Sequence, residues 1–205
     1  MERKNHDAIE VNNYVHLIMA SNEALVVPAE IGDRRFFILE VPDTKKGDNA
    51  YFDAFGDEMD SGGPEALLAH LQTIDLSKFN PADFPKTEAR VDQQLQSLEP
   101  IYAWIHDLLQ QGAISILGCD QDTWPTEVEK QPFYQLYYEW HSKYRRGTNP
   151  ESLGTLTKKL DSIGIKKRRL SVGGRRTHGY SLLLLETLRE NFESLLDHSV
   201  NWDPI

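Results

Sequence analysis

Four groups of residues have the types and spacing to act on phosphates. Ser21-Asn22 closes the apolar run Val15-His16-Leu17-Ile18-Met19-Ala20. An amide at the carboxyl end of a buried strand can orient a water or touch a terminal phosphate, because open α/β sheets bind ligands along that edge; Asn22 can equally cap the loop that follows. Asp33-Arg34-Arg35 stands just ahead of Phe36-Phe37-Ile38-Leu39. Neighbouring side chains of an extended segment point opposite ways, so one arginine can pair with Asp33 while the other projects. A plain surface ion pair is the alternative. Glu2-Arg3-Lys4-Asn5-His6 is either a hairpin tip that offers Arg3, Lys4 and His6 to phosphates or a frayed terminus. The fourth group is a cationic run: residues 143–176 hold 11 Lys and Arg against only Glu151 and Asp161. A local field of that size can bind phosphate, and it can also be a solvated helix face beside a charged edge strand.

No self-contained catalytic signature accompanies them. The chain lacks a Gly-rich phosphate loop followed by Lys-Ser/Thr, a Gly-x-Ser-x-Gly elbow and a His-Glu-x-x-His pair. Its one cysteine, Cys119, excludes an internal disulfide and a thiolate-rich metal site. It reads as a small buried hydrophobe, and a reducing intracellular compartment fits it best. The seven histidines show no metal-ligand spacing, and Asp57-Glu58 with Asp60 reads as a solvated helix end. No metal site is expected.

The elements that must position these groups follow from periodicity. Ile9 to Ser21 reads as a strand buried on both faces, and Arg35 to Val41 as a second strand closed by Pro42-Asp43. Asp48–Met59 and Pro64–Thr73 read as short helices separated by Gly62-Gly63. A longer helix is expected from Thr87 to about Gln111, bent at Pro100, then a linker from Gly112 to Pro125. Phe133, Tyr137, Trp140 and Tyr144 form one helical stripe. Asn149-Pro150-Glu151 reads as a helix start, followed by Leu153, Leu156, Leu160 and Ile163 on one side. Ile165–Val172 and Arg175–Leu185 flank Gly173-Gly174, a strong hairpin signal because both turn positions need positive φ. Leu188, Phe192, Leu195 and Leu196 mark a last helix. Helix, helix, hairpin and helix outline a winged-helix domain, with Lys158 and Lys159 on the outer side of its recognition helix. Lys166, Lys167, Arg168, Arg169, Arg175 and Arg176 make a basic wing. Alternation puts about half of these on each face.

The 205 residues suffice for one medium domain or two small ones. A hydrophobic fraction of 40% and a charged fraction of 26% are ordinary globular usage. No run approaches the 18 apolar residues of a membrane span, and the first residues lack the apolar stretch of a signal peptide. The net charge of −10 conceals an asymmetry: residues 1–130 hold 10 basic and 24 acidic residues, residues 131–205 hold 12 and 8.

In order and spacing, the amino-terminal groups resemble the second half of a superfamily 3 helicase, an AAA+ ATPase of small DNA viruses, poxviruses, phages and plasmids. The phage and prophage primase-helicases are the nearest likeness. It rests on Glu2-Arg3-Lys4 before a strand, Ser21-Asn22-Glu23-Ala24-Leu25-Val26-Val27-Pro28, Asp33-Arg34-Arg35-Phe36-Phe37, Gly62-Gly63-Pro64-Glu65-Ala66-Leu67-Leu68 and Phe84-Pro85-Lys86-Thr87. The likeness covers most of residues 1–110. It implies an α/β fold, the terminal strands of an AAA+ core over 1–46 and a helical region over 47–118, followed by an α+β winged-helix domain over 125–200. It implies that Asn22 is the sensor that polarises water or touches the γ-phosphate, and that Arg34 or Arg35 is the arginine finger reaching a neighbouring subunit. Lys4, with Arg3 and His6, then contacts single-stranded DNA in a central pore; Asn5-His6 departs from the phage pattern.

The parent family uses ATP and Mg²⁺, yet the loop and acidic strand that hold them belong upstream of Glu2. This chain is therefore expected to bind no cofactor alone and to be inert as an ATPase. The implied role is a replication fragment acting on DNA in the cytoplasm of a bacterial host, as a homo-oligomer or joined to an N-terminal half, with no membrane partner. A stand-alone winged-helix DNA-binding protein and a decayed prophage remnant are the alternatives.

Overall fold

The computed structural model describes residues 12, 15–33, 35–81, 83, 85, 87–115 and 124–202. Among these residues the chain is mixed α/β, with seven α-helices and one small antiparallel sheet.

The described residues between 15 and 41 contain no strand. The run expected to be buried on both faces lies in water instead: Val15 is 79% and Ile18 96% exposed. A two-faced buried strand exists only between neighbouring strands and covering helices, and no described element pairs with this segment. The part from Ala24 to Ile38 is held by polar side chains of α3 (Glu88–Gln96) and its cap. Gln93 Oε1 accepts the Val26 and Val27 N–H groups at 2.7 and 3.3 Å, and its amide donates to the Ala24 carbonyl. Gln94 donates to the Glu30 carbonyl, Arg90 to that of Asp33 and the Thr87 hydroxyl to that of Ile38. Val27 and Ala29 are buried beside it.

Between these stand α1 (Asn49–Asp60) and α2 (Gly63–Gln72). Asp48 caps the first by accepting the Tyr51 N–H at 3.1 Å. Pro64 sits in the first turn of the second, where its missing N–H is harmless. Neither helix buries a single residue.

The long helix expected over 87–111 is two helices. α4 (Pro100–Gln111) begins at Pro100 itself, and Glu99 before it is extended at ψ 149°. The pyrrolidine ring pushes its predecessor out of the helical region, so the bend becomes a break.

The core lies beyond this point. Its members are α4, β1 (Glu127–Glu129), α5 (Lys130–Tyr144), α6 (Leu153–Ser162), β3 (Arg175–Ser181) and α7 (Leu185–Leu196), with β2 (Lys166–Val172) paired to β3 outside it. Trp104 is 1% exposed and meets Phe133 and Tyr137 at ring distances of 4.9 and 5.4 Å; Phe133 meets Tyr180 at 5.8 Å. Thus α4, read from sequence as part of a helical region ending at 118, packs into the same core as residues 128–196. Arg189 of α7 donates twice to the Leu109 carbonyl and fastens the last helix to α4. α6 starts three residues later than Asn149-Pro150-Glu151 suggests, because Ser152 accepts the Thr155 N–H at 3.1 Å and is the cap.

Candidate nucleic-acid interface

The sheet order is β1-β3-β2, with β3 in the middle and both pairings antiparallel. Gly173 and Gly174 turn the hairpin with φ of 55° and 78°, a region closed to most side chains. Register then sorts the cations. Lys167 faces Tyr180, Arg169 faces His178 and Ser171 faces Arg176, so these side chains share one side of the ribbon. Tyr180 and its other partner Val128 are buried on the core. The same side runs past the core as exposed Lys167, Arg169, Arg176 and His178. On the opposite side Leu170 is buried over Gly179, where a Cβ would overlap the Leu170 side chain and the Val128 carbonyl.

The hairpin charges have different fates. Lys166 bridges to Asp161 at 2.8 Å and Arg168 to Glu127 at 3.0 Å. Lys167, Arg169, Arg175 and Arg176 make no ion pair among the described residues. Lys130, Lys167, Arg168, Arg169, His178 and Gly179 line a groove of about 350 Å³. Lys130 is the first residue of α5, whose start carries no side-chain cap. The hairpin therefore presents uncompensated positive charge beside a concave surface, an arrangement suited to anionic oxygens.

On α6 the expected pair divides. Lys158 is exposed. Lys159, expected to face outward, is turned along the protein with its side chain only 15% exposed. It donates to Glu99 and Glu151 and lies 5.1 Å from the centre of the Tyr102 ring. Burial works against its charge, but the Glu99 and Glu151 carboxylates outweigh that and hold its pKa above the usual lysine value. Its ammonium is thus committed to the fold. The remaining open surface of α6 offers Gly154, Lys158, Asp161 and Ser162, so little here can read base edges.

The amino-terminal groups are placed differently from expectation. Ser21 and Asn22 are exposed and border no strand among the described residues; Ser21 Oγ accepts the Glu23 N–H at 3.0 Å, a local turn. Arg35 is gripped by its own chain. Its Nε donates to both Asp33 carboxylate oxygens at 3.1 Å and its Nη2 to Oδ2 at 2.5 Å, while the Arg35 N–H donates to Oδ1 at 2.7 Å. Hydrogen bonding from Arg35 holds the Asp33 carboxyl below the ordinary carboxylate range. The Arg35 side chain is nevertheless 71% exposed. Arg3, Lys4, His6 and Arg34 lie outside the described residues. Among the described residues no three His, Cys, Asp or Glu side chains gather into a metal site.

Two groove residues escaped sequence reasoning. Counting back from Gly173-Gly174 puts His178 across from Arg169, so a register argument could have found it. Lys130 has no such signal, because only the β1–α5 junction brings it to the hairpin. No protein-family model, curated protein or solved structure matches the chain.

Proposed function

We propose that residues 98–196 are a winged-helix module that binds nucleic acid chiefly through its phosphates. The observation that carries this reading is the uncompensated charge of the β2–β3 hairpin: Lys167, Arg169 and Arg176 on one side and Arg175 on the other make no ion pair among the described residues, Lys167 and Arg169 line a groove, and only Lys166 and Arg168 are neutralised by acids. The element order α4-β1-α5-α6-β2-β3 with β3 central supports the same reading, since it is the order of a winged helix with α6 as recognition helix and the hairpin as wing. Phosphate contacts set position and affinity without selecting sequence, which agrees with the small polar inventory of α6.

The test is a salt titration of labelled duplex and single-stranded oligonucleotides with the full chain. Four phosphate contacts predict a log–log slope of roughly −3 to −4, hence about a hundredfold loss of affinity for a fourfold rise in salt. Arg169→Ala with Arg176→Ala should lower that slope by about 2. A flat salt response, or no binding at low salt, overturns the reading.

The wider role we infer is the DNA-contacting part of a phage-type primase-helicase, an ATP-driven motor whose phosphate loop this sequence does not contain. Its support is the motif string from Ser21 to Phe37; Arg35, held two-pronged by Asp33, must leave that carboxylate to serve as a finger. Charge supplied in that way to a neighbour's nucleotide is worth roughly 10³–10⁵ in rate. The chain alone should turn over no ATP, and Arg35→Ala should abolish hydrolysis restored by a partner carrying the loop. ATP turnover by the chain unaided defeats this role.

A further inference from the structure

We propose that His178 couples nucleic-acid binding at the hairpin to proton uptake: a phosphate entering the groove draws a proton from solvent, and the His178 imidazole holds that proton against a phosphate oxygen. The inference rests on the nucleic-acid reading above and deepens it at the same groove. His178 stands in the middle of a cationic row. Arg169 is its partner across the β2–β3 ladder and shares its side of the ribbon. Glu129 pairs with Gly179, so Lys130, the next residue, comes abreast of His178 from the other flank. Lys167 lies two positions along β2 from Arg169, on the same side. All four line the groove, and among the described residues no Asp or Glu does.

What faces the imidazole decides how it carries charge. Among the described residues His178 makes no hydrogen bond, ion pair or ring contact. The charged groups on its side of the ribbon are Lys167 and Arg169 of β2, Lys130 at the start of α5 and Arg176 of its own strand, all cations. The β1 carboxylates take the other side, where Glu129 accepts the Thr177 hydroxyl and Glu127 holds Arg168. α6 meets β3 through the uncharged Thr157 hydroxyl, at Tyr180. A histidine paired with a carboxylate keeps its proton whether or not a ligand is present. His178 has no such partner, so the one opposite charge that can favour its protonated form is the ligand's own. The protonated ring then offers a donor on each nitrogen. Histidine is the side chain whose ordinary charge change falls between about pH 5 and 8, whereas the lysines and arginines of the row keep their charge throughout. Affinity at this groove therefore follows pH through one residue.

Oligonucleotide binding by the full chain at about pH 5.5 and about pH 8, each at two salt concentrations, tests it. The probes are thymine single strands and adenine–thymine duplexes, whose bases and phosphodiesters gain or lose no proton in that interval. Affinity should be about fivefold higher at the lower pH. The log–log salt slope should also be steeper there by roughly 0.7–0.9, one phosphate contact more. His178→Gln, at an exposed position, should show the higher-pH affinity and slope at both pH values. His178→Arg should show the lower-pH behaviour at both, which a misfolded variant cannot do. Equal wild-type affinity and slope at the two pH values overturn the proposal and leave the nucleic-acid reading intact. So does a pH response that His178→Gln retains in full. Absence of salt-dependent binding at either pH overturns the reading and the proposal together.

Discussion

Residues 49–72 and residues 98–196 both contain amphipathic helices with clear apolar stripes, yet only the second set buries them. Phe133 and Tyr137 of α5 are enclosed by Trp104 and Tyr180, while Phe52, Phe55 and Leu71 of α1 and α2 touch water. The periodicity that writes a helix is the same in both regions; what differs is the supply of other apolar surfaces at the right distance. A helix stripe is half of a contact, and the sequence of that helix says nothing about where the other half comes from.

The sharpest way to break this comparison is to truncate one large residue in each region. Trp104→Ala should destabilise the body by about 3–5 kcal/mol, because it leaves a cavity among α4, α5 and β3 that cannot collapse. Leu71→Ala should move the same unfolding transition by less than about 0.5 kcal/mol in dilute protein. Urea denaturation followed by fluorescence reads both, and equal effects would erase the distinction. A smaller effect is expected where the extended segment meets the body. Gln93→Ala removes three hydrogen bonds to the backbone of Ala24, Val26 and Val27, and should raise local opening there by about 1–3 kcal/mol. Faster amide exchange confined to Val26 and Val27, with global stability nearly kept, is the expected pattern.

The smallest effect concerns pH. Asp107 of α4 accepts the Trp140 indole N–H at 2.7 Å. Burial raises its pKa, but the neighbouring His106 imidazole, the Trp140 hydrogen bond and the nearby Arg145 charge overcome this and leave it below the usual value. Its folded pKa is depressed, so its contribution is complete above the unfolded value of about 3.9 and disappears as pH falls through the lower folded value. Asp107→Asn should cost about 1 kcal/mol at neutral pH, and wild type and variant should converge as pH falls through the depressed folded value. Parallel stability curves down to acid would remove this role for Asp107.

What could be read in advance follows the same physics. The Gly173-Gly174 hairpin, the Phe133–Tyr144 helix and the stop at Gly164 rest on local backbone preferences, and each stands where those preferences put it. Ser152 displaced Asn149 as the cap of α6 through an equally local competition that the Pro150 signal obscured. The run at Val15–Ala20 failed as a strand because apolar composition specifies burial only where partner strands exist. At the candidate site, alternation foretold that the hairpin cations would divide between two faces. It could not foretell which of them are neutralised, since Glu127 lies 41 residues before Arg168 in the chain. Lys159 is the plainest case: Glu99, 60 residues away, decides where its charge goes.

The seat of Leu170 upon Gly179 has one more consequence. It is the last buried anchor along β2 before the Gly173-Gly174 turn. About three residues separate it from the tip, a lever of roughly 10 Å at the rise of a strand. A lever of that span, tipped by Arg175 and Arg176, is longer than the roughly 6 Å width of a minor groove. In the complex proposed above, such a reach would set Arg175 and Arg176 against the phosphates well clear of the folded body, as a clasp closes over an edge without regard to what is written there.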